Sequence, residues 1–255
     1  MIEVPTLNHL RSSNRDTDAN CLNVSAIRTF SNDLSNIIKP VIDRKQFAFV
    51  LGGDCSILLG VMPGLKAKGN YGLLFIDAHA DFYAPGQSTT GEVADMDLAI
   101  VTGRGPDLLT NMDHLRPYVL DKNVVHIAQR DEQQAAEYGS DDIRDTAITY
   151  FGLNDIRTGG IKPVIEKILH HVDSLDVNGF WIHFDTDALD DGINPAVDYR
   201  LPGGLKFDEA SLLINKLLTT DRIAGISVTI YNANLDPDSH VAKGITDCLA
   251  TAFRL

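Results

Sequence analysis

The sequence has 255 residues, 44% hydrophobic and 22% charged, ordinary proportions for a globular chain with a large core. A formal charge of −13, with no cluster of lysine and arginine, argues against a nucleic-acid partner. Three scattered cysteines are too few for a disulfide framework, no leader peptide is evident, and no apolar stretch approaches the ~20 residues that span a bilayer. A cytoplasmic protein with no membrane partner is expected.

Residues 27–42 carry the first helical pattern, and no convincing strand precedes residue 47. Apolar runs follow at 47–51, 71–76, 124–128, 180–184 and 223–229, with a weaker sixth at 147–151. They are short, β-branched and aromatic, and nearly continuous rather than alternating, as strands buried on both faces are. Helical patterns lie between them, clearest at 162–172 and 208–218, the second with Asp208 as its expected N-cap. Strands alternating with helices predict βαβ units in an α/β, doubly wound, mainly parallel sheet. With no repeat or linker, residues 1–255 read as one domain.

Polar residues fall in a pattern. The run at 47–51 leads into Gly52-Gly53-Asp54-Cys55-Ser56. The run at 71–76 leads into Asp77-Ala78-His79-Ala80-Asp81, and that at 180–184 into Asp185-Thr186-Asp187-Ala188-Leu189-Asp190. In open α/β sheets, ligands bind in the crevice beyond the carboxyl ends of the strands. If the chain is extended there, alternate residues leave on one side, so Asp77, His79 and Asp81 would converge, as would Asp185 and Asp187. Carboxylates crowded in this way repel, and burial adds a desolvation cost that divalent cations would offset. Such a set suits Mn²⁺ or Mg²⁺, and two ions about 3.5–4 Å apart would activate a water as nucleophile. A single aspartate after a strand is more often a cap or turn residue; three such clusters together are not. His183, inside the 180–184 run, reads as a satisfied core or surface histidine, and His170 and His171 as solvated helix residues.

Gly52-Gly53-Asp54-x-Ser56, Asp77-Ala78-His79-x-Asp81 and Asp185-x-Asp187-x-x-Asp190 resemble, in order and spacing, the three signature motifs of the arginase–agmatinase–formiminoglutamase (ureohydrolase) family. Further similarity at His126–Asp131, Tyr150-Phe151 and Gly203-Gly204-Leu205 extends the resemblance from about residue 45 to 250. It implies a three-layer αβα fold, a trimer or hexamer, and two Mn²⁺ ions. One ion would be held by residue 55, Asp77, Asp81 and Asp185, the other by Asp77, His79, Asp185 and Asp187. Asp77 and Asp185 would bridge, and Asp81 would also orient the attacking hydroxide. Family members attack an amidine or guanidine carbon and expel an amine.

The chain departs from that pattern in four places. Cys55 stands where the family has a metal-binding histidine, which would admit Zn²⁺ or another soft ion. Ala94 aligns with a histidine proton shuttle, so the shuttle is absent or replaced by Glu92, Asp95 or Asp97. Ile230 aligns with the glutamate that pairs the guanidinium. No counterpart of the family's first strand is found upstream of residue 20. Glu92 is therefore expected to act in catalysis and, with Asp95, to contact a guanidino or amidino substrate, such as an N-hydroxyguanidine. An amide deacetylase and a fold-retaining pseudoenzyme are the competing readings.

Overall fold

In the computed structural model, which describes residues 1–5 and 11–254, six strands form one all-parallel sheet. They are β1 (Ala48–Leu51), β2 (Tyr71–Ile76), β3 (Val124–Ile127), β4 (Thr149–Phe151), β5 (Gly179–Asp185) and β6 (Ile223–Thr229). Their order is β1-β6-β5-β2-β3-β4. Every run expected to be a strand is one; 71–76 and 223–229 match end to end, and the others shift by at most two residues. Ala128 drops out of β3 because its φ of 79° turns the chain out of the sheet.

Helices cover both faces, giving the three layers. Leu73, Phe75 and Trp181 pack with α1 (Val24–Asp43), α2 (Leu58–Lys66) and α3 (Asp97–Val101) in one core. Short helices α4 (Asp107–Thr110), α5 (Glu132–Glu137) and α6 (Leu153–Gly159) lie in the connections. Leu74, Ile76, Ile182 and Phe184 point the other way, into a second core with α7 (Ile161–Ser174), α8 (Phe207–Leu218) and α9 (His240–Ala252). The split follows the strand period of two. Helix α1 sits close on α2 because Gly60 and Gly64 carry no side chain. A Cβ on Gly60 would lie 2.8 Å from that of Leu34, and one on Gly64 3.0 Å from that of Ile38.

Two sequence expectations are corrected. The 47–51 run is not buried: β1 is an edge strand, with Phe49 49% and Leu51 76% exposed, and Phe47 and Phe49 cover the ring of Phe253. Asp208 does not cap α8. Lys206 occupies the cap position, and its backbone N–H donates to the Glu209 carboxylate at 2.9 Å. No helix among the described residues is long and apolar enough to cross a membrane.

Register puts the polar clusters at one level. Ile76 pairs with Phe184, so Asp77 and Asp185 leave neighbouring strands side by side, and Asp185 pairs with Thr229 of β6. Leu51 of β1 meets Val228 on the far side of β6.

Candidate metal centre

The three clusters are shaped by the same local device. Asp54 Oδ1 accepts from the Ser56 N–H at 2.9 Å, Asp77 Oδ1 from the His79 N–H at 2.7 Å, and Asp185 Oδ1 from the Asp187 N–H at 2.7 Å. These are Asx turns, in which the side chain replaces the strand's next hydrogen bond. The extended geometry expected from spacing is therefore corrected: Thr186–Ala188 is a 3₁₀ turn, and Asp81 has φ 44°. Convergence survives by a different route. Each turn occupies one carboxylate oxygen and leaves the other outside it: Asp77 Oδ2 is buried with no partner, and Asp185 Oδ2 meets the Cys55 thiol.

All six expected ligands are brought together. Asp77, His79 and Asp187 each offer one donor atom within 4.8 Å of the others, with His79 Nδ1 2.9 Å from Asp187 Oδ2. Cys55, Asp77, His183 and Asp185 form a second such group, with Cys55 Sγ 2.7 Å from Asp185 Oδ2; Cys55, Asp81 and Asp97 form a third. Asp77 belongs to the first two groups, as a bridging ligand must, whereas Asp185, the other expected bridge, belongs to the second alone.

Electrostatically the cluster is frustrated without cations. Burial, then the charge of Asp187, pushes Asp77 up to about 7. Burial and the neighbouring carboxylates hold Asp81 and Asp185 far above the usual carboxylate range. Burial and Asp185 likewise raise the Cys55 thiol. His79 and Asp187 form the one satisfied pair: burial opposes both charges, but their attraction raises the imidazole and lowers the carboxyl. A donor set of several carboxylates, one imidazole and one sulfur, with an orphaned buried oxygen between, fits divalent metal.

A pH dependence follows, with a definite sign. Between about pH 4 and 7, the metal-free folded state binds more protons than the unfolded chain, because Asp77 titrates near 7 rather than 3.8. These carboxyls make stability fall as pH rises through that window, Asp81, Asp185 and the raised imidazole of His79 acting in the same direction as Asp77, against the lowered imidazoles of His126 and His183. In chelator, the melting temperature should be higher at pH 5 than at pH 8, and saturating divalent metal should reverse the order. A chelated protein that melts higher at pH 8 would show that these carboxyls do not crowd one another.

Residues behind the cluster fix its loops. His126 is driven by burial down to about 4 and is neutral; its Nε2 lies 2.8 Å from the His79 carbonyl, so that nitrogen carries the proton and donates. Arg130 donates to the carbonyl of Asp187 at 2.8 Å, and Asn194 to that of Thr186 at 2.6 Å.

His183 was missed by sequence reasoning. Burial lowers it to about 3, so it is neutral with one N–H. Trp181 Nε1 donates to Ser227 Oγ at 3.0 Å, and the Ser227 hydroxyl then has His183 Nδ1, at 3.0 Å, as acceptor. That leaves the Nε2–H facing Cys55 Sγ at 3.4 Å, with Thr229 Oγ1 also 3.4 Å from the sulfur. The Cys55 sulfur thus has the imidazole N–H behind it and the Thr229 hydroxyl beside it, contacts that would support a thiolate once a cation offsets the burial and the charge of Asp185 that keep the thiol protonated. The signal was parity: His183 lies two residues before Asp185 and shares its strand face.

A cavity of about 880 Å³ opens over Cys55, His79, Asp81, Asp185 and Asp187. Its other walls include Glu92, Ala94, Asp95 and Ile230. Glu92 is exposed and accepts from the Tyr199 hydroxyl at 2.8 Å. One oxygen of Asp95 accepts from the hydroxyls of Ser88 and Thr90, each at 2.7 Å, and so braces the loop. Ile230 has φ 71°, a strained conformation for a β-branched residue, pinned by its N–H to the Gly53 carbonyl at 2.9 Å.

The model of the arginase family matches residues 7–253. An arginase from Staphylococcus aureus is 31% identical over 234 residues, 91% of this chain and 75% of that relative. The crystal structure of an arginase from Bacillus cereus superposes with a TM-score of 0.84 at 27% identity, over 94% of this chain and 82% of that one. An arginase from Bacillus caldovelox superposes with a TM-score of 0.87 at 25% identity, over 99% and 83%.

Proposed function

The chain belongs to the arginase family, and from that premise we propose that it is a binuclear-metal hydrolase, with Mn²⁺ its working ion, that cleaves a C–N bond of a linear guanidino or amidino compound. The observation that carries this reading is the pair of donor groups that share the buried Asp77 directly beneath one open cavity. One ion would be held by Asp77, His79, Asp185 and Asp187, the other by Cys55, Asp77, Asp81 and Asp185. When bound, two divalent ions supply Lewis acidity and bring the pKa of a water toward neutrality. The sulfur of Cys55 makes Zn²⁺ or another soft ion a candidate at its position.

The chain's own residues do the rest. Asp81, at the cavity floor, orients the attacking water. Glu92 faces the substrate from the opposite wall, its carboxylate steadied by Tyr199, and supplies the counter-charge that Ile230 does not. Asp95 holds that loop against the cavity. His126 and Arg130 keep the two metal-bearing loops from parting. One domain covers the chain, acting in the cytoplasm as a trimer or hexamer.

The test is a panel of guanidines and amidines offered to the Mn²⁺-loaded protein, with release of urea-type products followed. Turnover of a guanidino or amidino compound is expected. A protein that holds two ions and hydrolyses none of them would overturn the reading. Against the substrate so found, Glu92→Gln should lower kcat/KM about ten- to a hundredfold, the scale of one charge-assisted contact, with metal content unchanged. Turnover within about twofold of the parent would leave Glu92 without this role.

A further inference from the structure

Asp97 opens α3 within Met96-Asp97-Leu98-Ala99-Ile100-Val101, a run otherwise apolar and buried throughout. Its carboxylate is completely buried, and neither oxygen meets a donor at full hydrogen-bonding geometry; its nearest polar neighbours are the Leu98 N–H and the Asp81 carboxyl, too little to offset the burial that holds it well above the usual carboxylate range. A carboxylate withdrawn from water with no donor and no counter-ion is strongly disfavoured. One of its oxygens nevertheless lies within 4.8 Å of both the Cys55 sulfur and an oxygen of Asp81. Three anionic donors face one point, from the loop after β1, the loop after β2 and the start of α3.

Two arrangements can hold two carboxylates in such contact: a shared proton or a shared cation. A shared proton leaves the second oxygen of Asp97 unpartnered and makes no use of the Cys55 sulfur that lies within 4.8 Å of both carboxylates. A cation accounts for all three groups. Resting on the metal-centre reading above, we propose that Asp97 is a further ligand of the ion at the Cys55 position, joining the thiolate, Asp77, Asp81 and Asp185. The centre then carries more negative ligand charge than two divalent ions neutralise: six anionic side chains, Cys55, Asp77, Asp81, Asp97, Asp185 and Asp187, against four positive charges. The substrate class this favours is a cation, which compensates in part for the isoleucine at 230.

Co²⁺ is the probe, because its visible absorption reports coordination and its sulfur-to-metal charge-transfer band reports Cys55. The parent should take up two Co²⁺ per chain. In Asp97→Asn, calorimetric titration should show one of the two affinities lowered about tenfold or more and the other kept, with the charge-transfer band altered. Melting curves separate this from a merely structural role. In chelator, Asp97→Asn should melt at or above the parent, since one of several like charges is gone, and it should gain less from Co²⁺. Asp97→Leu, which fills the same apolar surroundings without a polar group, should behave alike. Parental affinities with an unchanged charge-transfer band would overturn the proposal. So would a variant destabilised in chelator that keeps the parent's full gain from Co²⁺. A parent that binds no Co²⁺ would overturn the metal reading itself, whereas a parent with two ions and an indifferent Asp97→Asn overturns this inference alone.

Discussion

Replacing Asp185 by alanine is expected to empty both metal positions and to lower kcat/KM by about a thousandfold or more. Two separate losses combine at this residue. Its Oδ2 lies 2.7 Å from Cys55 Sγ, so the Cys55-side ion loses a ligand. Its Oδ1 caps the turn through the Asp187 N–H at 2.7 Å, so the aspartate that serves the other ion loses its support. Metal ions supply several kcal/mol of transition-state stabilisation, and each ~1.4 kcal/mol is tenfold in rate. Asp185→Asn separates the two effects. Asparagine keeps an oxygen for the turn and loses only the charge of a ligand shared by both ions, so the Asp77–His79–Asp187 position, with its turn intact, should hold its ion more weakly than in the parent but more tightly than in the alanine variant. Elemental analysis reads both outcomes, and an alanine variant with a full complement of metal would remove Asp185 from the centre.

The second large effect runs in the opposite direction. Ile230→Glu should raise kcat/KM for a guanidinium substrate about ten- to a hundredfold, the worth of one charge-assisted contact in the cavity. The position suits the change, because Ile230 lines the cavity directly after β6. Its φ of 71° also strains a β-branched side chain more than it would a glutamate. The melting temperature should therefore not fall, although a carboxylate is being added to an acidic cavity. Discrimination is the readout. An uncharged amidine should gain nothing, and equal gains for charged and uncharged substrates would mean that charge pairing is not what residue 230 controls. An unchanged kcat/KM for the guanidinium, in a variant that still binds two ions, would place the substrate's cationic group elsewhere.

Much of this centre was legible in the sequence because polar residues interrupt apolar runs at one end only. Leu73-Leu74-Phe75-Ile76 before Asp77, and Trp181-Ile182-His183-Phe184 before Asp185, announce both the strands and the side of the sheet on which ligands bind. What stayed hidden depends on partners distant in sequence. Whether the 47–51 run is buried is decided by sheet order, and β1 lies at the edge, next to β6 alone. His183 resembled an ordinary core histidine, since its proximity to Cys55 arises across 128 residues. Asp97 read only as one of three acids that could replace the proton shuttle, until the fold enclosed it with Cys55 and Asp81. The Asx turns that aim Asp77 and Asp185 were hidden for another reason: spacing predicts convergence equally well from an extended chain, and only the backbone distinguishes the two. Ile230 was legible as a substitution but not as a strained one, because a positive φ at a β-branched residue has no sequence signal.

Anomalous-scattering crystallography of the Mn²⁺-loaded protein tests the two-ion centre most directly. Two peaks per chain are expected, about 3.5–4 Å apart, one against His79 and Asp187 and the other against Cys55 and Asp81, with Asp77 and Asp185 between them. A single peak, or two that share neither Asp77 nor Asp185, would contradict it.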